Sequence, residues 1–197
     1  MTNFHIVIPS RMKSSRLPEK PLKDICGKPM VVRVVEQAML SGAIDVVVAT
    51  DHPAIVEACQ AYNIKSVMTS EAHPSGTDRL SETVDLLNLP LDAIVVNVQG
   101  DEPLIPPEVI SQVAELLVDH PECDMATAAH PIDNLEEFLS PNVVKVVLDH
   151  KGNAVTFSRA PIPWPRDAFR ENPNQMPAGL EPLRHIGLYA YRVKFLK

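Results

Sequence analysis

The chain has 197 residues, 45% of them hydrophobic and 22% charged, with a formal net charge of −7. That composition excludes a largely disordered chain, and a chain of this length buries roughly 70% of its unfolded surface, enough to fold as one domain without disulfide or metal staples. No apolar run approaches the ~20 residues of a membrane span, and the first basic residues follow the first apolar run, the reverse of a secretory signal, so neither a membrane nor export is expected.

In chain order, residues 4–8 form a short apolar strand ending at Pro9, and a polar loop of about fifteen residues follows. Pro29 opens a helix with apolar Met30, Val31, Val34, Val35, Ala38 and Met39, and Ser41-Gly42 marks its end. Residues 44–49 are a second strand, after which Asp51 is expected to cap a helix running to about Tyr62. Residues 65–68 are a third, short strand, and Thr77 or Ser75 caps a helix around 79–87. Residues 93–98 are a fourth strand, and Pro106-Pro107 starts a helix carrying Val109, Ile110, Val113, Leu116 and Leu117. Beyond it, 124–129 reads as another central strand. Residues 143–148 and 153–158 flank Asp149-His150-Lys151-Gly152 as a hairpin. The stretch 160–184 is a loop with six prolines, and 185–192 returns as a strand. The chain stops at Lys197 directly after it, which reads as a single domain lacking its C-terminal end.

Apolar strands alternating with short helices predict an α/β fold, a mainly parallel, doubly wound (Rossmann-like) sheet covered on both faces, followed by a hairpin-containing subregion. In the simplest doubly wound order the first strand is central and the reversal lies between strands one and four. The loops 9–28 and 99–106 then face each other across a ligand cleft.

Charge points to the same loop. Residues 1–35 carry +5, leaving −12 for the rest of the chain. A basic stripe in an acidic protein argues against general nucleic-acid binding and suits a local anion such as a phosphate chain; a solvated charged loop is the competing reading. The loop Ser10-Arg11-Met12-Lys13-Ser14-Ser15-Arg16-Leu17-Pro18-Glu19-Lys20-Pro21-Leu22 has neither dinucleotide-binding glycines nor a Walker A sequence. Phosphates there must be held by arginine forks and a lysine as well as by backbone N–H groups. Arg11, Ser14, Arg16, Leu17, Pro18, Lys20, Pro21 and Leu22 fit a pattern R-x-x-S-x-R-L-P-x-K-P-L. With it the sequence resembles the nucleotidyltransferases that activate acidic sugars with CTP, in two branches, the acylneuraminate and the 3-deoxy-manno-octulosonate (Kdo) cytidylyltransferases. Met12 departs from the aromatic residue frequent at that position.

Residues 96–103, Val-Asn-Val-Gln-Gly-Asp-Glu-Pro, resemble the Kdo branch. Asp101 just past the fourth strand suits Mg²⁺, which takes oxygen ligands from one or two carboxylates plus substrate phosphates; Glu102 is the second choice, and a plain Gly-Asp turn is the competing reading. His73-Pro74-Ser75-Gly76-Thr77-Asp78-Arg79 is similar to a family motif in which Ser75, Gly76 and Thr77 read cytosine and Arg79 orients the turn, while Ser-Gly-Thr is equally an ordinary helix cap. Residues 157–164 and 183–191 resemble the family's sugar-binding segments. Arg159 suits the sugar carboxylate, and Gln99, His185 and Tyr189 suit its hydroxyls. Tyr189 and Tyr191 otherwise read as packing on alternate faces of a strand, His185 as a core histidine, and Trp164 as a packing anchor.

The resemblance therefore implies transfer of CMP from CTP to Kdo with release of pyrophosphate, for lipopolysaccharide assembly. Arg11, Arg16 and Lys20 would hold the triphosphate and Asp101 the Mg²⁺. Sialic acid or 8-amino-Kdo as acceptor, and nucleotide binding without turnover, are the alternatives. It also implies a homodimer, for which 143–158 and 185–192, taken to lie outside the main sheet's alternation, are the candidate elements, and later residues supplying a second metal-binding aspartate. Three widely spaced cysteines, Cys26, Cys59 and Cys123, read as reduced thiols in a cytoplasmic protein.

Overall fold

The structure, a computed structural model, describes residues 2–13 and 17–197. It divides into two compact units, one formed by residues up to Ala126 together with Leu188–Lys197, the other by Thr127–Gly187.

In the first unit the apolar runs become strands β1 (Phe4–Ser10), then β4 (Asp45–Thr50), β5 (Ser66–Met68) and β6 (Ile94–Asn97), with the two-residue ribbon β2 (Asp24–Ile25) and β3 (Lys28–Pro29) inside the long loop after β1. Between them lie α1 (Met30–Met39), α2 (Pro53–Ala61) and α3 (Gly76–Leu86), and α4 (Pro107–Asp119) follows β6. The order β5-β4-β1-β6 is parallel throughout, so the reversal falls between β1 and β6 as the sequence predicts. The strands have no polar face because helices cover both sides. Val7 packs with Leu80 and Val84 of α3, while Ile6 and Ile8, fully buried, alternate to the opposite face. On α1, Val31, Val34, Val35 and Ala38 recur at helical spacing and are all fully buried, each valine contributing about 1.5–3 kcal/mol by leaving water.

Helix α2 is capped by His52, whose Nδ1 accepts from the Ala54 N–H at 3.2 Å. Asp51, expected to be that cap, is turned to other partners. Ser75 caps α3 in a capping box with Asp78, so of the two residues considered it is the serine that caps.

The second unit contains most of β7 (Met125–Pro131), then α5 (Leu135–Leu139), β8 (Lys145–Leu148), β9 (Ala154–Ser158), α6 (Arg166–Glu171) and the start of β10 (Leu183–Arg192); α7 (Val193–Leu196) ends the chain. The predicted hairpin is present: β8 and β9 are antiparallel, with Gly152 at φ +85° in the turn. Ile132, Phe138, Val143 and Phe169 form its core, and Trp164 packs on Phe169 with ring centroids 4.6 Å apart, as its reading as an anchor required.

Strand β7, expected to be central, pairs with β10 and keeps most of its residues only partly buried or exposed. Strand β10 stands outside the parallel alternation, as expected, and is nonetheless paired within the sheet. Tyr189–Arg192 run antiparallel to β6 in the first unit, Tyr189 opposite Asn97. No described helix is long and apolar enough to cross a membrane.

Candidate active site

Strands β1, β4 and β6 end at one edge of the sheet, where Ser10 is in register with Thr50 and Val7 with Asn97. The segments leaving β1 and β6, with the start of α3, line a cleft of about 470 Å³. Arg11, Lys13 and Lys20 come to it from the β1 loop, Gln99, Gly100 and Asp101 from the β6 loop, and Gly76 from the start of α3. Closure depends on Gly100. A Cβ there would stand 2.7 Å from the Pro9 carbonyl oxygen, so a residue without a side chain is what lets the two loops meet.

Across the cleft the Lys20 Nζ donates to Asp101 Oδ2 at 2.5 Å, with both side chains partly open to solvent. The lysine read as a phosphate cation and the carboxylate read as a metal ligand thus neutralise each other. Arg11 is different: its Nη2 is buried and has no hydrogen-bond partner among the described residues. The Oγ of Ser10, at the end of β1, is in the same condition. A guanidinium nitrogen withdrawn from water without an acceptor favours an incoming anion, because that anion restores both the hydrogen bond and the charge balance.

Arg79 does not line this cleft. It is fully buried, donating from Nη2 to Asp51 Oδ2 at 2.9 Å and from Nη1 to the Thr69 hydroxyl. The other oxygen of Asp51 accepts from the Met12 N–H at 3.3 Å. Burial lowers the Arg79 pKa, and the Asp51 carboxylate beside it favours the charged form. Arg79 therefore acts beneath the phosphate loop, holding the carboxylate that holds the loop backbone. Sequence reasoning missed Asp51 in this role. Its position one residue past a strand terminus was the available signal, and it was absorbed by the helix-cap reading.

Of the proposed cytosine-reading turn, Gly76 lines the cleft, whereas Ser75 is engaged with Asp78 in the capping box and Thr77 hydrogen-bonds the Tyr191 hydroxyl. Ser14 and Arg16 lie outside the described residues. Of the residues assigned to the sugar, Gln99 lines the cleft. Tyr189 is half-buried on β10, and its ring stacks on that of Tyr191, centroids 6.0 Å apart. The two tyrosines, two positions apart, share a strand face instead of alternating.

In the second unit, Arg159 is exposed and donates to the Pro141 carbonyl at 2.9 Å. Its own carbonyl accepts from Lys145, a fully buried lysine that also donates to the carbonyls of Ser140 and Val143. Lys145, which sequence reasoning did not single out, fixes the backbone on which Arg159 stands. Burial lowers the Lys145 pKa, with the Arg159 charge adding to it. His185 is half-buried, with Nε2 2.9 Å from the Thr127 hydroxyl and its ring edge-on to Phe157. Burial lowers its pKa, which favours the neutral imidazole.

No group of three or more His, Cys, Asp or Glu side chains stands ready for a metal among the described residues. Asp101 is the one carboxylate lining the cleft among the described residues. A single carboxylate beside a phosphate-sized cationic cleft fits Mg²⁺, which keeps waters and shares substrate phosphates, and does not fit an all-protein metal cage.

A cytidylyltransferase family model matches residues 5–197. A 3-deoxy-manno-octulosonate cytidylyltransferase of Neisseria gonorrhoeae is 60% identical over 197 residues, all of this chain and 78% of the relative. One from Pseudomonas syringae pv. syringae is 58% identical over 193 residues, 98% of this chain and 76% of the relative. The solved structure of a CMP:2-keto-3-deoxy-manno-octonic acid synthetase complexed with CTP superposes with a TM-score of 0.87 at 42% identity, covering all of this chain and 76% of that one. A cytidylyltransferase from Leptospira borgpetersenii, 19% identical with a TM-score of 0.51, shares the fold over 64% of this chain.

Proposed function

The chain belongs to the cytidylyltransferase family, and on that premise we infer that it is a nucleotidyltransferase moving CMP from CTP to Kdo with release of pyrophosphate. The observation that carries the reading is the cleft between the β1 and β6 loops. Arg11, Lys13 and Lys20 line it together with Asp101, with Lys20 paired to that carboxylate, at the point where the strand order reverses. The relatives at about 60% identity supply the acceptor.

The anomeric hydroxyl of Kdo attacks the α-phosphorus of CTP. A bond forms from that oxygen to phosphorus as the hydroxyl gives up its proton to solvent, the bond to the bridging oxygen of the β-phosphate breaks, and pyrophosphate leaves. Such transfer relies on positioning and on stabilising charge. Arg11 and Lys20, with Arg16 of the same loop, hold the triphosphate and offset charge building on the leaving group. To reach the phosphates Lys20 gives up Asp101, and that carboxylate becomes available to hold Mg²⁺. Held there, Mg²⁺ would supply charge neutralisation and would favour loss of the attacking hydroxyl's proton. Arg159, with Gln99, His185 and Tyr189, is assigned to the sugar acid. His185, favouring the neutral imidazole, suits a hydroxyl contact, and the exposed guanidinium of Arg159 suits the carboxylate. The product serves lipopolysaccharide assembly, and the protein works in the cytoplasm as a homodimer. The exposed β9 face with Val155 and Phe157 is a candidate contact for that dimer.

The test is pyrophosphate release with CTP and Mg²⁺ against a panel of Kdo, 8-amino-Kdo and sialic acid. Turnover is expected with Kdo and not with sialic acid. Release with sialic acid alone, or with none of the three, overturns the reading.

A further inference from the structure

Ser10 carries a feature that the phosphate-binding reading does not use. It is the last residue of β1, only 2% exposed. Its Oγ is buried without a hydrogen-bond partner among the described residues. A buried hydroxyl with no partner weakens the folded state, since it has left water and gained nothing in return. Such groups in a native protein call for a cause, and a functional site is one. Ser10 lines the same cleft as Lys20 and Asp101. Within it, Ser10 Oγ lies 3.5 Å from the point where a Cβ on Gly100 would stand, and thus on the Gln99–Gly100 side. The cationic side chains Arg11, Lys13 and Lys20 already supply what a triphosphate requires. A neutral hydroxyl, donor and acceptor at once, matches a neutral polar group of ribose or base.

We propose that the Ser10 hydroxyl is a nucleotide-binding group that hydrogen-bonds the nucleoside half of CTP. The inference rests on the cytidylyltransferase reading and adds to it a contact that discriminates ligand parts. It also makes an unusual pairing of effects. Ser10→Ala removes a contact made to the nucleotide and none made to the described protein, so affinity should fall without a loss of stability.

The experiment compares the full chain and its Ser10→Ala variant by calorimetry with CTP, CMP and inorganic tripolyphosphate, with thermal unfolding of each free protein. Ser10→Ala is expected to weaken CTP and CMP alike, about three- to tenfold. Tripolyphosphate binding should be unaffected and the unfolding temperature unchanged or raised. The KM for CTP rises by the same factor while kcat stays within about twofold, because the contact is made equally in ground and transition states. Equal binding of CTP by both proteins, a loss confined to CTP and tripolyphosphate, or a lowered unfolding temperature overturns the inference and leaves the parent reading standing. Failure of the wild-type protein to bind CTP overturns both.

Discussion

Lys20 and Asp101 face each other as an ion pair at 2.5 Å. A pair this exposed contributes no more than about 1 kcal/mol, so its breakage is not a barrier to binding. Its consequence lies in what each partner does once the other is removed. Asp101→Asn keeps the size and removes the charge. The freed Lys20 should then hold CTP as tightly as, or more tightly than, the wild type when metal is chelated, while Mg²⁺-dependent pyrophosphate release falls by at least about a hundredfold, the scale of losing a key electrostatic group. Metal-free calorimetry and a turnover assay on the same preparation check both halves. Retained turnover would remove Asp101 from the metal site, and weakened metal-free CTP binding would show that the lysine needs its carboxylate to stay in place.

At the scale of elements, the site exists because two loops from neighbouring parallel strands touch. The contact is a backbone one. The Gly100 position stands 2.7 Å from the Pro9 carbonyl by way of a Cβ it does not have, and no flexible side chain is available to yield. Gly100→Ala should separate the β1 and β6 loops, at a cost of about 1–3 kcal/mol, lowering the unfolding temperature by several degrees. It should also raise the KM for CTP, because Gln99 and Asp101 move with the loop. Thermal unfolding and initial-rate kinetics together test this; an unchanged KM would mean that the loop contact is structural alone. Beneath the same loop, Arg79 and Asp51 couple α3 to the Met12 backbone. The start of α3 and the phosphate loop are therefore held by one buried ion pair as well as by the cleft they share.

Across the whole molecule, acid sensitivity is built into both units. His5 in the first unit and His185 in the second have pKa values pushed below the usual 6.5, chiefly by burial. Folding favours their neutral forms. The unfolded chain therefore takes up more protons as the pH falls below about 6.5, and stability present above that pH is lost on descending through it. The carboxylates held low, Asp78 and Asp149 among them, add their loss only in more acidic solution. The unfolding temperature should fall between pH 7.5 and 5.5, and His5→Gln should flatten part of that slope. A temperature that stays constant over this range would show that neither histidine is held neutral.

The alternation of apolar strands and helices and the hairpin at Gly152 were legible in the residues themselves, while the central place of the first strand followed from the simplest doubly wound order. Burial periodicity is local and survives in one dimension. So was the meeting of the basic loop with Asp101, because the topology of a doubly wound sheet leaves few places for the strand order to reverse. The choice of partners was decided only in three dimensions. Asp51 had the chemistry of a helix cap and serves Arg79 and Met12, leaving the cap to His52. Arg79, expected to orient the turn at Ser75–Thr77, lies fully buried and paired with Asp51. Thr77 binds Tyr191, and residues 189–192 join the main sheet. A side chain's type determines which bonds it is able to form. Which partner stands within about 3 Å, and which group is left buried with none, as at Ser10 and Arg11, depends on the packing of segments distant in sequence.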